Sequence, residues 1–353
     1  MSPPDSAEAV PAADGISIGG RRFGPAALLN VVGRFREAGI ALALGLLVLV
    51  VAIQEPRFVD PDNLEQILLS VSILAIVAAG QTLVVLTRNI DLSVGSMVGL
   101  VAFLCADTLK SSPGTSVVLV ILLGIAIGAG LGAINGLIVT VGRVPAIVAT
   151  LGTLYIFRGF DFSIAEGDQV AAADVPESYL NLATGKVLGI PALILFAVVV
   201  VALATFALRR WRSGRALYAI GSNPEAAVLA GVRSQRLVFA AFVLCGALCG
   251  LAGVLWGARF ATIDARAATG FELTVVAAVV VGGVNIFGGS GTVIGAALGA
   301  ILLGTIENSL SILNLNQFWL QAIQGGVIIA AVTIDALITR RLQRALAIAR
   351  RRE

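Results

Sequence analysis

The feature that most constrains this chain is a series of apolar stretches that recurs from residue 38 to residue 338, with short polar joints between them. A soluble domain of this length would show a polar face on most of its helices or strands, whereas these stretches are almost uninterrupted. Because 58% of the residues are hydrophobic and only 13% are charged, a sizeable soluble domain does not fit. The sequence therefore predicts an all-α polytopic membrane protein.

About ten apolar segments are candidates for transmembrane or half-membrane helices. They cover residues 38–54, 66–87, 92–109, 117–142, 145–160, 190–208, 237–257, 271–287, 292–313 and 317–338. A straight helix that spans a bilayer needs about 20 residues. The segments 145–160 and 271–287 are shorter, so we expect some helices to be re-entrant or broken and to pack inside the bundle.

The basic residues provide an independent test of this count, because Lys and Arg collect in the cytoplasmic loops of membrane proteins. When ten passes start from a cytoplasmic N-terminus, the cytoplasmic side receives four basic residues from the N-terminal tail, Arg88, Arg143, six from the loop 209–236 and six from the C-terminal tail. The other six of the 24 basic residues fall outside. The charges therefore predict an even number of passes with both termini in the cytoplasm.

Two polar tails flank the apolar region. Residues 1–37 are rich in Pro, Ala, Gly and Ser and are expected to form a flexible cytoplasmic tail. Residues 339–353 are expected to form a basic cytoplasmic tail. The pair Arg21-Arg22 resembles a twin-arginine export signal, but the apolar run that follows is short and is cut by Arg34, so we interpret the pair as the basic flank of the first helix.

Several enzyme chemistries are excluded by composition. Histidine is absent, which excludes imidazole bases, Ser-His-Asp triads and histidine-ligated metals. The three cysteines lie inside apolar runs, so we interpret them as small hydrophobic side chains rather than a disulfide framework or a zinc site. The phosphate-loop pattern GxxxxGK followed by Ser or Thr is missing. We therefore predict a chain that is not an enzyme and that carries no metal and no cofactor.

Glycine spacing predicts how the helices pack. Without side chains on one helix face, neighbouring backbones can approach closely, which is the main packing device between helices in lipid. The 40 glycines include sets at every fourth residue, which are Gly124, Gly128, Gly132 and Gly136; Gly291, Gly295 and Gly299; Gly246 and Gly250; Gly253 and Gly257. We expect a tightly packed helical core at these positions.

A polar segment, 80–96, lies between two apolar runs and predicts a break in the helix. Asp91 with Ser93 is expected to cap a new helix that begins near Leu92, which would satisfy backbone donors at membrane depth. Arg88 is expected to neutralise Asp91. Because a charge in the membrane costs about 3 kcal/mol on insertion scales, Asp91 fits equally well a paired structural joint and a residue of a transport path.

The longest cytoplasmic loop, 209–236, contains the signals of one short helix. In order, they are a cap at Ser222 or Asn223, Pro224 in the first turn, Glu225 near the positive end and a stop at Gly231. A helix of about two turns is unstable alone, so the bundle or a partner must hold it. Its Ala226, Ala227 and Val228 are expected to form an apolar surface that a soluble protein could bury.

A glycine-rich segment, 282–292, joins two further apolar runs and includes Asn285. Since it has no phosphate-loop lysine, we interpret it as a tight joint between half-helices. The remaining conspicuous polar residues are expected to line a wet cavity, and they are Glu307 and Asn308 in the run 292–313 and Gln321 and Gln324 in the last run.

Together these segments resemble the permease family of ATP-binding-cassette importers for monosaccharides, in the branch for ribose, xylose, rhamnose and signalling furanoses. The resemblance spans nearly all of residues 38–338. The motifs that carry it, in order and spacing, are LTRNIDLSVGSMVGL, ATLGTLYIFRG, GSNPEAAVLAG, VVGGVNIFGGSGTVIGAALGA and QFWLQAIQGGVII. Many relatives have Gly where Asn89 stands, a departure that affects the turn at the first joint.

The resemblance implies a single permease domain over residues 38–338, in the bacterial inner membrane, that forms the path for a monosaccharide. It implies a separate ATPase inside, a periplasmic or lipid-anchored sugar-binding protein outside, and a second permease copy or paralogue. Membrane lipid is an expected partner and nucleic acid is not. The coupling helix of the family falls on Glu225, Ala226, Ala227 and Gly231, which agrees with the partner-held helix inferred from the residues.

The alternative is a self-contained secondary transporter or channel for a small polar solute. Such a protein needs membrane-buried carboxylates for proton or sodium coupling, and Asp91 and Glu307 are the candidates. The candidate residues for a transport path or a helix break are Gln81, Arg88, Asp91, Ser93, Asn285, Glu307, Asn308 and Gln324.

Overall fold

The computed structural model describes residues 16–18, 21–23, 25–316, 318–326, 328–330 and 333. In these ranges the fold is a bundle of α-helices. In chain order they are α1 (Pro25–Gln54), α2 (Pro61–Val85), α3 (Val94–Ser111), α4 (Val117–Thr140), α5 (Ala146–Ala165), α6 (Glu177–Thr184), α7 (Ala192–Arg210), α8 (Arg212–Ser222), α9 (Pro224–Leu229), α10 (Ser234–Phe260), α11 (Phe271–Val281), α12 (Val293–Ile312) and α13 (Phe318–Ala330).

Two small antiparallel hairpins and two 3-10 turns complete the described elements. Strand β1 (Ile16–Ile18) pairs with β2 (Arg21–Phe23), and β3 (Lys186–Val187) pairs with β4 (Ile190–Pro191). The 3-10 turns are Pro56–Val59 and Ala172–Asp174. The first hairpin and the first turns of α1 fall within residues 1–37, where we expected a flexible tail. The expected basic tail, 339–353, lies outside the described residues.

Seven helices of the described chain are long and apolar enough to cross a membrane, namely α2, α3, α4, α5, α7, α10 and α12. Three shorter apolar helices are Ala38–Gln54 within α1, α11 and α13. Each of these helices overlaps one of the apolar segments of the sequence. The predicted all-α polytopic membrane fold is therefore confirmed.

The two segments expected to be short behave differently. Helix α5 has 20 residues and continues beyond residue 160, so the expectation that it is short is wrong. Beyond residue 160 it contains Asp161, whose carboxylate lies 3.5 Å from Arg158 one turn earlier. Helix α11 has 11 residues, or about 17 Å at 1.5 Å per residue, which confirms a broken helix that is too short to cross.

Helix α10 lies at the centre of the bundle and packs against α2, α3 and α4. At its contact with α4, a Cβ atom on Gly128 would lie 2.2 Å from the backbone oxygen of Gly246. A Cβ atom on Gly132 would lie 2.3 Å from the backbone oxygen of Phe242. Backbones this close need glycine at the contact, so the predicted tight packing of α4 is confirmed.

The second glycine set behaves as predicted in part. Gly295 and Gly299 face α11, where added Cβ atoms would lie 2.2 Å from the oxygen of Gly282 and 2.1 Å from that of Ala278. Gly291 precedes α12 and has a φ of +133°, so it belongs to the joint rather than to the helix face. The three cysteines are free and buried, as expected for small hydrophobic side chains.

Candidate pathway and coupling site

The polar segment between α2 and α3 breaks the helix, as predicted. Helix α2 ends at Val85 and α3 begins at Val94, and Asp91 between them is completely buried. The Oδ1 atom of Asp91 accepts hydrogen bonds from the backbone N–H of Ser93 at 2.9 Å and from its hydroxyl at 2.7 Å. The carboxylate therefore fixes the turn that leads into α3.

Two details of the predicted break are wrong. Ser93 is the N-cap residue of a helix that starts at Val94 rather than near Leu92, and its side chain makes no cap hydrogen bond. Arg88 does not pair with Asp91, because the chain turns at Arg88, with a φ of +66°, and the side chain bonds to backbone carbonyls of α8.

An amide takes the place of the expected cation. The Nδ2 atom of Asn135, on α4, lies 3.3 Å from Oδ1 and 3.2 Å from Oδ2 of Asp91, and it donates to the Ser93 hydroxyl at 2.8 Å. The Thr150 hydroxyl, on α5, donates to the carbonyl of Ile90 at 3.2 Å. Neither Asn135 nor Thr150 is predicted from the sequence. The signal that could have identified them is that each is a polar side chain on an apolar helix, and such a side chain needs a hydrogen-bond partner when it is buried.

The loop 209–236 contains two helices rather than one. Helix α8 is not predicted from the sequence, because its arginines are typical of a basic cytoplasmic loop. Its signal is the spacing of its buried residues, which are Gly214, Leu217, Ile220 and Gly221 on one face.

Helix α9 has the predicted ends. The Oδ1 atom of Asn223 accepts from the backbone N–H of Ala226 at 3.0 Å, so Asn223 rather than Ser222 is the side-chain cap. Pro224 is the first residue, Glu225 lies in the first turn, and Gly231 follows the helix with a φ of +77°.

The exposed surface of α9 differs from the prediction at one residue. Ala227 is only 4% exposed and packs against the bundle, so its place in the docking surface is wrong. The side chains that face away from the bundle are Ala226, Val228 and Leu229, and the exposed fractions of the last two are 60% and 89%. Because successive residues of a helix are about 100° apart, one alanine faces inward while its neighbours face out.

The break, the end of α8 and the glycine-rich joint meet at one place. We call it the three-way junction, and it comprises residues 86–88, 218–222 and 289–291. The N–H of Gly289 donates to the carbonyl of Leu86 at 3.0 Å. Contact is so close that a Cβ atom on Gly221 would lie 2.2 Å from the nitrogen of Gly289.

A phenol closes the junction on the side of α8. The hydroxyl of Tyr218 donates to the carbonyl of Gly291 at 2.9 Å. Burial raises the pKa of Tyr218, so the phenol keeps its proton and remains a donor. Asn285 has a local role in the same joint, because its Oδ1 atom accepts from the backbone N–H of Phe287 at 2.7 Å.

The polar residues expected to line one wet cavity lie in different places. Asn308 exchanges two hydrogen bonds with Asn63 at the start of α2, at 2.9 and 3.1 Å. Gln324 is buried and donates to the Thr274 hydroxyl at 3.0 Å, which joins α13 to α11. These two residues are therefore helix-to-helix links rather than cavity walls.

Glu307 and Gln321 do share a cleft. Its volume is about 230 Å³, and its other lining residues are Leu310, Phe318 and Leu320. Gln81 lies elsewhere, buried on α2, and its Oε1 atom is 3.9 Å from the sulfur of Cys245. Its Nε2 atom has no hydrogen-bond partner in the described part of the chain.

Among the described residues, no group of three or more His, Cys, Asp or Glu side chains is arranged to hold a metal. The apolar helices and the buried helix break define a polytopic membrane protein. Residues 63–332 match the family described as the permease component of branched-chain amino acid transport systems. The chain belongs to this permease family.

Curated relatives place the chain more narrowly. It is 34% identical over 321 residues to the ribose import permease protein RbsC of Escherichia coli K12, which covers 90% of this chain and 98% of that protein. It is 35% identical over 303 residues to RbsC of Bacillus subtilis, and this match covers 86% of the chain and 94% of that protein. It is 35% identical over 319 residues to the autoinducer 2 import system permease protein LsrC of Salmonella typhi, and this match covers 90% of the chain and 91% of that protein. No solved structure matches the chain.

These relatives confirm the predicted class of function. The chain is the permease subunit, which forms the translocation pathway, of an ATP-binding-cassette importer in the ribose and autoinducer branch. It is a transport component rather than an enzyme, and ATP hydrolysis belongs to a separate subunit.

Proposed function

We propose that the chain carries a monosaccharide through the bacterial inner membrane, with an even number of passes and both termini in the cytoplasm. The distribution of basic residues supports this orientation. The cargo is inferred from relatives that are named for ribose, D-allose and autoinducer 2. A periplasmic or lipid-anchored sugar-binding protein delivers the sugar, and a second permease copy or paralogue completes the path.

The observation that carries the coupling proposal is the apolar exposed face of α9. The sequence has no phosphate-loop motif, so the energy of ATP hydrolysis must enter through a contact with the ATPase. Helix α9 presents Val228 and Leu229 to solvent in the loop that carries six basic residues. A groove in the ATPase is the partner that would bury them.

The three-way junction gives the path by which this contact reaches the membrane core. Helix α9 begins two residues after Ser222, whose carbonyl accepts from Arg88 at 3.0 Å. Arg88 in turn precedes Asp91, which bonds to Asn135 of α4. A displacement of α9 would therefore shift the helix break and, with it, the helices that line the path.

Asp91 is best explained as a fixed joint of this path and not as a proton carrier. Its carboxylate accepts from Ser93 and Asn135 and has no free approach from solvent, since Asp91 is completely buried. Gln81 and Ser93 lie on either side of the same break. Glu307 lies in the cleft near α13, where it remains a candidate for contact with the sugar.

A charge placed on α9 tests the coupling assignment. Leu229→Asp should lower the recovery of the ATPase with the purified permease at least fivefold, because an apolar anchor becomes a carboxylate in a buried contact. The matched control is Leu188→Asp, since Leu188 is 99% exposed in the turn between β3 and β4 and lies away from α9. Undiminished ATPase recovery with Leu229→Asp would show that α9 is not the docking helix.

A further inference from the structure

A long groove of about 610 Å³ lies between α2, α7 and α12. Its wall is apolar along most of its length, with side chains such as Val71, Ala75, Val198 and Ile301. Helix α7, which contributes more of the wall than the other two helices, also exposes Leu203 and Phe206 outside the groove or at its edge. A groove with such a lining on an apolar helix faces acyl chains in a membrane.

The groove runs along α7. Its lining extends from Ile194 to Arg210, which is about 24 Å at 1.5 Å per residue. A groove of this length can hold one extended acyl chain.

One end of the groove is positively charged. Arg209 and Arg210 are both exposed and both line it, at the last turn of α7. Within the described residues neither side chain is in a salt bridge with a carboxylate. Two free guanidinium groups at the mouth of an apolar groove match a phosphate group with a hydrocarbon chain attached.

We propose that this groove is a binding site for an anionic phospholipid. Arg209 and Arg210 hold the phosphate, and one acyl chain lies along α7 against α2 and α12. A sugar would not bind there, because the wall offers too few polar groups to pair with its hydroxyls. The leaflet is the cytoplasmic one under the topology proposed above, and the site itself does not depend on the transported cargo.

Lipid retention by the purified full-length chain tests the proposal. Native mass spectrometry after delipidation should show phosphatidylglycerol retained at least threefold better than phosphatidylcholine. The double variant Arg209→Gln with Arg210→Gln should lose this preference. The control, Arg233→Gln with Arg236→Gln, removes the same charge from exposed residues of the same loop and should keep it.

Two further experiments distinguish lipid binding from binding of free phosphate and from a general effect of losing positive charge. Ala202→Trp, which fills the groove without changing charge, should also lower phosphatidylglycerol retention. Inorganic phosphate should not displace the lipid. Equal retention of both lipids by the unaltered chain, an unchanged preference in the Arg209 and Arg210 variant, or displacement by inorganic phosphate would overturn the proposal.

Discussion

The Nε atom of Arg88 donates a hydrogen bond of 2.6 Å to the carbonyl oxygen of Gly221, and this bond ties the broken helix in the membrane core to the last turn of α8. A second guanidinium nitrogen donates to the carbonyl of Ser222 at 3.0 Å. Carbonyls at the C-terminus of a helix carry partial negative charge, so a cation is favoured there. The residue that we expected to neutralise Asp91 therefore holds the cytoplasmic helices instead.

The first prediction concerns this link. Arg88→Gln should lower ATP-driven sugar uptake at least tenfold while the ATPase still co-purifies, because hydrogen bonds from a charged donor contribute about 1.5–3 kcal/mol. Arg143→Gln is the control, since Arg143 also has a positive φ, of 56°, but is exposed. The measurement is uptake in vesicles at equal amounts of inserted permease. Full uptake with Arg88→Gln would exclude this link as the coupling route.

The second prediction separates a fixed joint at Asp91 from a proton carrier. Asp91→Asn keeps an oxygen that accepts from the Ser93 N–H, so uptake should stay within about threefold of the unaltered chain. Asp91→Leu should lower the free energy of unfolding by about 1–3 kcal/mol, because the buried N–H of Ser93 loses its acceptor and the Asn135 amide loses one of its acceptors. The measurement is uptake between about pH 5.5 and pH 8, the range in which a proton-carrying group that works at physiological pH would change its charge. Loss of transport together with its pH dependence in Asp91→Asn would support proton coupling.

The third prediction concerns helix packing. Gly128→Ala should lower the free energy of unfolding by about 1–3 kcal/mol, because its Cβ atom would overlap the backbone of α10. Gly130→Ala lies on the same helix, and a Cβ atom there has nothing within 4 Å. It should be neutral or slightly stabilising. Thermal unfolding in detergent is the readout, and equal midpoints for the two variants would contradict the packing.

The fourth prediction concerns topology. An even number of passes places Glu353 on the same side as the N-terminus, in the cytoplasm. Alkaline phosphatase fused after Glu353 should therefore be inactive, because its disulfides form only outside the cytoplasm. An active fusion would mean that the number of passes is odd or that the orientation is inverted.

Hydropathy predicted the helical segments well because lipid leaves the backbone few alternatives to a helix. The ends of α9 were predictable for a different reason. Asn223, Pro224 and Gly231 act through contacts within a few residues, and such local contacts can be inferred from spacing alone. Glycine spacing likewise predicted the α4 contact, because a bare helix face has few uses other than close approach.

Three predictions failed because they depend on distant parts of the chain. Asn135, the partner of Asp91, is 44 residues away on another helix. Arg88 bonds to a carbonyl 133 residues away, and nothing within its own segment indicates that direction. Ala227 faces the bundle because tertiary packing sets the rotation of a six-residue helix, which capping residues do not determine.

The most direct test of the account is uptake of a labelled monosaccharide into vesicles that contain the permease. We predict uptake only when the ATPase has ATP and a cognate sugar-binding protein is present, with loss of uptake when either is omitted. Collapse of the proton or sodium gradient should then have no effect. Uptake that proceeds without ATP and stops when the gradient is collapsed would contradict the account and would identify a secondary transporter.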